Sequence, residues 1–168
     1  MSADNKTVAR DTAVRPAEPA DFEALHDLDG RVFGELGYPY FTLRQLVDAF
    51  PECWLVAAGT SGLVGYSFGV PSTDRTYAWL LGLAVDPNHR KQGHGTRLTR
   101  ETLNLLGTMN VADVHLTVEP DNDAATRLYR RFGFLESGFR RNYFGPGEHR
   151  LVMSRRLIPS PRPDSGQD

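Results

Sequence analysis

Apolar residues along this chain recur with two different periods, one typical of strands and the other of helices. Short runs rich in apolar and β-branched residues predict strands at 13–17, 53–59, 63–70, 76–85, 114–118, 134–141 and 149–156. Longer stretches with apolar residues three or four positions apart predict helices at 21–33, 42–50, 95–109 and 123–132. Because strands and helices are mixed along one chain, the pattern predicts an α+β domain.

Polar residues at the ends of these stretches predict where the first two helices begin. Asp21 precedes the first stretch, and its carboxylate can cap the first amide N–H groups of a helix. Thr42 and Gln45 have the spacing of a capping box, and Pro51 follows the second stretch. We therefore expect the second helix to begin at Thr42 and to end before Pro51.

The apolar pattern covers a single domain, residues 12–157. Residues 1–11 and 158–168 are polar or proline-rich and lack an apolar period, so we expect them to be disordered tails. The longest apolar run, 77–85, has nine residues, whereas a membrane-spanning helix needs about 20. We expect a soluble, cytoplasmic protein with no membrane partner, either a monomer or a homodimer.

Charge and cysteine content narrow the classes of ligand. A formal net charge of −2 argues against general nucleic-acid binding. Acidic side chains dominate residues 1–60 and basic ones dominate residues 120–156, which favours a cationic ligand near the first half and an anionic ligand near the second. The single cysteine, Cys53, rules out a metal site built on thiolates. His89 and His94 match no zinc spacing, so we expect solvated loop histidines and no metal.

The stretch HRKQGHGTRL, residues 89–98, joins an apolar strand to a predicted helix. The first amide N–H groups of a helix have no intrahelical partner and, with the helix dipole, attract anions. Gly93 and Gly95 let a phosphate approach the backbone, while Arg90 and Lys91 add positive charge. The loop lacks the Lys-Ser/Thr of a Walker motif and the third glycine of a dinucleotide fingerprint. It therefore predicts a diphosphate cradle of another kind.

Two motifs resemble those of the GNAT acetyltransferase superfamily. Arg90-Lys-Gln-Gly93-His-Gly95, after Val85-Asp-Pro87, is similar to its acyl-CoA loop. Asn122 and Tyr129, seven positions apart in VEPDNDAATRLYRRFGF, resemble its later motif. The closing RRNYFGPGEHRLVM is similar to the ribosomal-protein-alanine branch of N-terminal acetyltransferases. The resemblance implies a mixed, mainly antiparallel sheet, flanked by helices, in which the parallel strands ending near Val85 and Glu119 splay apart.

The resemblance also implies acetyl-CoA as co-substrate and assigns residues to it. The pantetheine arm would lie in the gap between the splayed strands. The pyrophosphate would lie on the amides of residues 92–96, within the stretch 89–98 that we call the glycine loop. The residues implied for donor binding are Leu83, Ala84, Val85, Arg90, Lys91, Gln92, Gly93, His94, Gly95, Thr96, Asn122 and Tyr129.

The resemblance implies an acid for the reaction but leaves the base open. Tyr129 would protonate the departing CoA thiolate. Many relatives carry a glutamate where this chain has Thr117, so a directly bonded glutamate base is in doubt. Alternation along HLTVE puts His115, Thr117 and Glu119 on one face of a strand. Either Glu119 or His115 could act as base through a water molecule.

The resemblance also implies that the acceptor is an amine, held between the first two helices and the loop joining the last two strands. Tyr38, Tyr40 and Tyr143 lie in these segments and could wall the acceptor groove. Without an obvious strong base, the α-amine of a peptide or protein N-terminus is favoured over a lysine. The alternatives are a small-molecule amine, such as an antibiotic, polyamine or amino-acid derivative, and a non-catalytic GNAT domain that only binds acyl-CoA.

Overall fold

The computed structural model describes residues 12–60 and 62–157, so both predicted tails lie outside the described residues. Within it, one sheet has the strand order β1-β2-β3-β4-β5-β7-β6. The strands are β1 (Ala13–Pro16), β2 (Trp54–Gly59), β3 (Gly62–Pro71), β4 (Tyr77–Val85), β5 (Asp113–Val118), β6 (Leu135–Arg140) and β7 (Arg150–Arg156).

The sheet is antiparallel except between β4 and β5, which run parallel. The α-helices are α1 (Phe22–Phe33), α2 (Tyr40–Ala49), α3 (His94–Thr108) and α4 (Asp123–Arg131). This mixed sheet with one parallel pair confirms the predicted fold class. No helix in the described ranges is both long and apolar enough to cross a membrane.

The helices pack on opposite faces of the sheet because neighbouring strand residues point to opposite sides. On β3, Tyr66 and Phe68 join a core with Leu25 and Leu28 of α1. On the other face, α3 packs mainly on β3, with β4 and β2 on either side. Its Leu106 shares a core with Tyr129 of α4 and with β5 residues.

The capping residues predicted for the starts of α1 and α2 were wrong. The Asp21 side chain makes no cap bond to α1. Its carboxylate instead pairs with the Arg15 guanidinium at 2.6 Å, which lowers the pKa of Asp21. Helix α2 begins at Tyr40, directly after Pro39, so Thr42 lies inside the helix and no side chain caps its start.

Strands β4 and β5 stay together for only part of their length. Their pairing runs from Tyr77 opposite Asp113 to Leu80 opposite Leu116, and no later pair joins them. At the same point β4 departs from regular pairing with β3, since Phe68 pairs with Gly82 and Gly69 with Leu80. Leu81 is therefore the extra residue of a β-bulge, which bends its strand.

Helix α3 approaches β3 so closely that only glycine fits at position 65. A Cβ atom there would lie 2.8 Å from the carbonyl oxygen of Ala84 and 2.9 Å from Cδ1 of Leu98. Gly65 therefore sets the depth at which the helix after the glycine loop sits on the sheet.

We expect Gly65→Ala to lower the free energy of unfolding by about 1–3 kcal/mol, because relief of overpacking forces α3 or β4 to move. Gly107→Ala is the matched control, since a Cβ at that helical position meets nothing within 4 Å. The control should raise stability by up to about 1 kcal/mol through helix propensity. Urea unfolding of both variants measures the difference, and equal stabilities would contradict the close approach.

Candidate active site

A cleft of about 530 Å³ opens where β4 and β5 separate. Its walls come from α1, the loop between α1 and α2, the ends of both strands, α4 and the loop before β7. The lining residues include Asp29, Glu35, Tyr38, Tyr66, Leu81, Gly82, Leu83, Thr117, Glu119, Asn122, Tyr129, Phe144 and Arg150.

The glycine loop has the backbone of an anion cradle. Gly93 has a φ of +87° and precedes α3, whose first intrahelical bond runs from the Arg97 N–H to the Gly93 carbonyl at 3.0 Å. The N–H groups of residues 93–96 therefore precede the hydrogen-bonded part of the helix. Lys91 also takes a positive φ, of +61°. Arg90 closes the loop by donating from Nε to the Val85 carbonyl at 3.4 Å.

His94 is buried, contrary to the expectation of a solvated loop histidine. It is the first residue of α3, and only 2% of its surface is exposed. Neither ring nitrogen has a hydrogen-bond partner among the described residues. Burial, followed by the charge of Arg97, lowers the pKa of His94, so the ring stays neutral at pH 7.

Helix α4 brings Asn122 and Tyr129 into the cleft, as their seven-residue spacing requires. The Asn122 side chain caps the helix, accepting from the Ala125 N–H at 3.1 Å. Tyr129 is 7% exposed and packs its ring edge-on against Phe134. Burial raises the pKa of Tyr129, so its hydroxyl remains protonated throughout the neutral range.

The end of β5 supplies Thr117 and Glu119 to the cleft but not His115. Glu119 lies just beyond the strand, with about half of its side chain exposed. The His115 ring instead packs against Tyr77 and Trp79, at centroid distances of 5.9 and 5.3 Å. Of the two bases considered from the sequence, only Glu119 lines the cleft.

The three predicted acceptor tyrosines are not brought together. Tyr38 lines the cleft, whereas Tyr40 does not. The Tyr40 hydroxyl donates to Oε1 of Glu23 at 2.7 Å because the Tyr40 side chain lies over α1, outside the cleft. Tyr143 packs against Phe144, and it is Phe144 that reaches the cleft.

The residues of β4 and the glycine loop that were predicted to bind acetyl-CoA also do not all line the cleft. Leu83 lines the cleft. Ala84 and Val85 do not, since the Ala84 side chain packs in the core below α1. Residues 90–96 form the separate cradle at the start of α3. Among the described residues, no group of His, Cys, Asp or Glu side chains could hold a metal ion.

Sequence reasoning missed a buried pair, Asp29 and Tyr66, that forms one wall of the cleft. The Tyr66 hydroxyl donates to Oδ1 of Asp29 at 2.5 Å, and the Tyr38 N–H donates to Oδ2 at 2.6 Å. Both residues are fully buried. Burial and the Asp29 charge raise the pKa of Tyr66 well above its usual range. The available signal was a carboxylate at position 29, four residues after Leu25 on the apolar face of α1.

Sequence reasoning also missed Arg150, the first residue of β7. It lines the cleft, and only 5% of its surface is exposed. Strand register explains its position: Val118 pairs with Leu151, so the next positions along the two strands are Glu119 and Arg150. The residues next to Arg150 in the sequence did not indicate that Glu119 would be its neighbour.

Comparison with known proteins identifies the family of this site. The profile of the acetyltransferase (GNAT) family matches residues 20–134, more than half of the chain. The chain belongs to the GNAT family. The matched range includes the glycine loop, Glu119, Asn122 and Tyr129, and stops before Arg150.

Relatives of this GNAT chain include proteins named as N-alpha-acetyltransferases or alanine N-acetyltransferases. The N-alpha-acetyltransferase RimI of Mycobacterium tuberculosis is 34% identical over 86% of this chain and 89% of its own length. A [ribosomal protein bS18]-alanine N-acetyltransferase of Escherichia coli is 36% identical over 46% of this chain and 53% of its own length. An uncharacterized protein of Mycobacterium leprae is 31% identical over 93% of this chain, which spans only 42% of that longer relative.

Solved structures show the same GNAT fold. Ard1 from Thermoplasma volcanium superposes with a TM-score of 0.80 and 28% identity, covering 89% of this chain and 99% of that one. This chain therefore shares its fold with that structure over most of its length. This protein is a GNAT N-acetyltransferase.

Loss of the Tyr66 hydroxyl should destabilise the cleft wall. We expect Tyr66→Phe to lower the free energy of unfolding by about 1.5–3 kcal/mol, because a buried carboxylate loses one of its two donors. Tyr40→Phe is the control: its exposed hydroxyl also bonds a carboxylate, and its loss should change stability by less than about 0.5 kcal/mol. Denaturant unfolding compares the two, and similar values would argue against the importance of the buried pair.

Proposed function

We propose that this protein transfers an acetyl group from acetyl-CoA to the α-amine at the N-terminus of a peptide or protein. The observation that carries the proposal is the cleft between the splayed strands, with an amide cradle beyond one end and a negatively charged lining. The relatives named for N-terminal acetylation support the same acceptor class.

The donor's shape fits the two parts of the site. Residues 81–85 of β4 have no pairing with β5, so their main-chain groups on that edge are available to the amide groups of a pantetheine arm. The N–H groups of residues 93–96 can hold the pyrophosphate, with Arg90 and Lys91 beside them. Asn122 supports the loop at the start of α4, where it faces the same cleft.

The charge of the cleft favours a cationic acceptor. Three carboxylates, Asp29, Glu35 and Glu119, line it together with one guanidinium, Arg150. An acceptor amine arrives as an ammonium ion, which this surplus of negative charge attracts. Glu119 is the carboxylate on the β5 side of the cleft, close in sequence to Asn122.

Thr117 in place of a carboxylate makes a weakly basic acceptor more suitable. At pH 7, deprotonating a lysine amine with a pKa of about 10.4 takes roughly 4.6 kcal/mol. A peptide α-amine with a pKa near 7.8 takes only about 1.1 kcal/mol. A half-exposed glutamate acting through water is sufficient for the second task and poorly suited to the first.

In the proposed reaction the neutral amine attacks the thioester carbonyl. A C–N bond forms, the C–S bond breaks, and the proton lost by the amine passes through water to Glu119. Tyr129 donates a hydrogen bond to the departing thiolate. Because burial raises the pKa of Tyr129, its proton stays on the hydroxyl and is always present for this bond. The thiolate takes up its own proton from solvent water as product leaves.

Acceptor class is tested with a pair of matched peptides, one with a free α-amine and no lysine, the other Nα-blocked with one lysine. At pH 7 we expect kcat/KM to be about 10²- to 10³-fold higher for the α-amine, from the roughly 3.5 kcal/mol difference above. Release of CoA thiol and mass spectrometry of the product measure it. Equal rates, or turnover of small amines only, would contradict the proposal.

Tyr129→Phe tests the hydrogen bond that Tyr129 is proposed to donate to the departing thiolate. We expect kcat to fall about 10²-fold or more, because the thiolate loses its donor, while the Kd for acetyl-CoA changes little. Tyr77→Phe, a tyrosine outside the cleft-lining set, serves as control and should retain full activity. An unchanged kcat in Tyr129→Phe would remove this residue from the chemistry.

A further inference from the structure

Arg150 is the one basic side chain among the residues that line the cleft, and its guanidinium is held firmly. Nη1 donates to Oε2 of Glu148 at 3.0 Å and to the His149 carbonyl at 2.7 Å. The guanidinium carbon also lies 4.7 Å from the centre of the Phe144 ring. These three contacts hold the group at the acceptor end of the cleft.

The rest of this guanidinium is available for a ligand. Nη2 lies 3.8 Å from Oε1 of Glu119, which is too far for a hydrogen bond. Within residues 12–60 and 62–157, neither Nη2 nor Nε of Arg150 makes a hydrogen bond. A guanidinium has five N–H donors in a rigid plane, so the three on Nη2 and Nε have no hydrogen-bond partner among the described residues.

We propose that Arg150 is a specificity-determining residue that binds the carbonyl oxygen of the acceptor's first residue while Glu119 binds its ammonium group. In an N-terminal residue the amine nitrogen and this oxygen are separated by two carbon atoms, which puts them roughly 3 Å apart. Glu119 and Arg150 present a carboxylate oxygen and a guanidinium nitrogen 3.8 Å apart in the same cleft. The pair matches an α-amino carbonyl group.

The inference rests on the proposed function and refines its substrate class. A lysine ε-amine has four methylene groups between itself and its α-carbon, so it offers no carbonyl beside the reacting nitrogen. A polyamine offers none at all. The two side chains therefore select an amine that carries a neighbouring carbonyl, in addition to any selection by amine pKa.

A purely structural role for Arg150 is the competing account, since its bonds to Glu148 and His149 also fasten the loop before β7. A double-mutant cycle separates the two roles. One change is Arg150→Met in the enzyme. The other is replacement of the substrate's first peptide bond by a trans-alkene isostere, which keeps the shape and removes the carbonyl oxygen. Differences in amine pKa between the substrates cancel because each substrate is compared between two enzymes.

We expect Arg150→Met to lower kcat/KM for the peptide about 10- to 100-fold, the usual effect of losing a hydrogen bond to a charged group. For the alkene isostere the same substitution should lower kcat/KM less than about 3-fold, since there is no oxygen to hold. The Kd for acetyl-CoA should be unchanged in both enzymes. Arg140→Met is the matched control, because Arg140 pairs with Arg150 across β6 and β7 but is exposed.

Arg150→Lys covers the case in which the methionine variant fails to fold. It keeps a positive charge beside Glu148 but lacks the planar fork, so a loss confined to the peptide is again expected. If the Arg150 variants lose kcat/KM equally on both substrates, or lose none on the peptide, the role proposed for Arg150 is wrong, while the proposed function still stands. If the wild-type protein acetylates other amines but no peptide α-amine, the proposed function fails together with this inference.

Discussion

The separation of two parallel strands is the constraint on which the rest of this structure depends. A sheet normally satisfies main-chain N–H and C=O groups by pairing neighbouring strands, and unpaired groups in a buried setting are costly. Here β4 and β5 stop pairing after Leu80 and Leu116. Packing on both faces of the sheet keeps the two strands apart. On one face α3 and α4 share a core. On the other face Tyr66 lies against Gly82, where a Cβ would be only 3.0 Å from the ring. The unpaired edge of β4 beyond Leu80 therefore offers N–H and C=O groups to a ligand that has amide groups of its own.

The side of the cleft proposed to bind the acceptor is held by charged side chains rather than by main-chain pairing. Asp29 ties α1 to β3 through Tyr66, and to the following loop through the Tyr38 N–H. Arg150 performs the equivalent task across the cleft, where it fastens the loop before β7 through Glu148. Each wall thus contains one buried charged residue, and the two charges are opposite. A zwitterion-like arrangement of this kind orients a polar acceptor better than an apolar groove of the same size.

Sequence alone could predict features whose causes are local. Gly93 needs a positive φ to start α3, and Asn122 caps α4 within three residues, so the cradle and the start of α4 could both be read from short motifs. Asp21 was misread because its carboxylate prefers Arg15, a partner on the preceding strand. Asp29 and Arg150 depend on contacts between distant segments, namely the packing of α1 on β3 and the register of β5 with β7. Periodicity places such residues on an element but does not identify what they face.

Thr117 and Glu119 together change how the acceptor end of a GNAT cleft can operate in this chain. A carboxylate at position 117 would lie inside the strand, half-buried, where desolvation could raise its pKa and make it a stronger base. The carboxylate at position 119 lies beyond the strand, half-exposed and 3.8 Å from a guanidinium. In the proposed reaction this group holds the incoming ammonium ion and takes up, through water, the proton that the α-amine loses. The proposed chemistry therefore depends on an amine that gives up its proton readily near neutral pH, and an α-amine next to a carbonyl is the common biological group with that property.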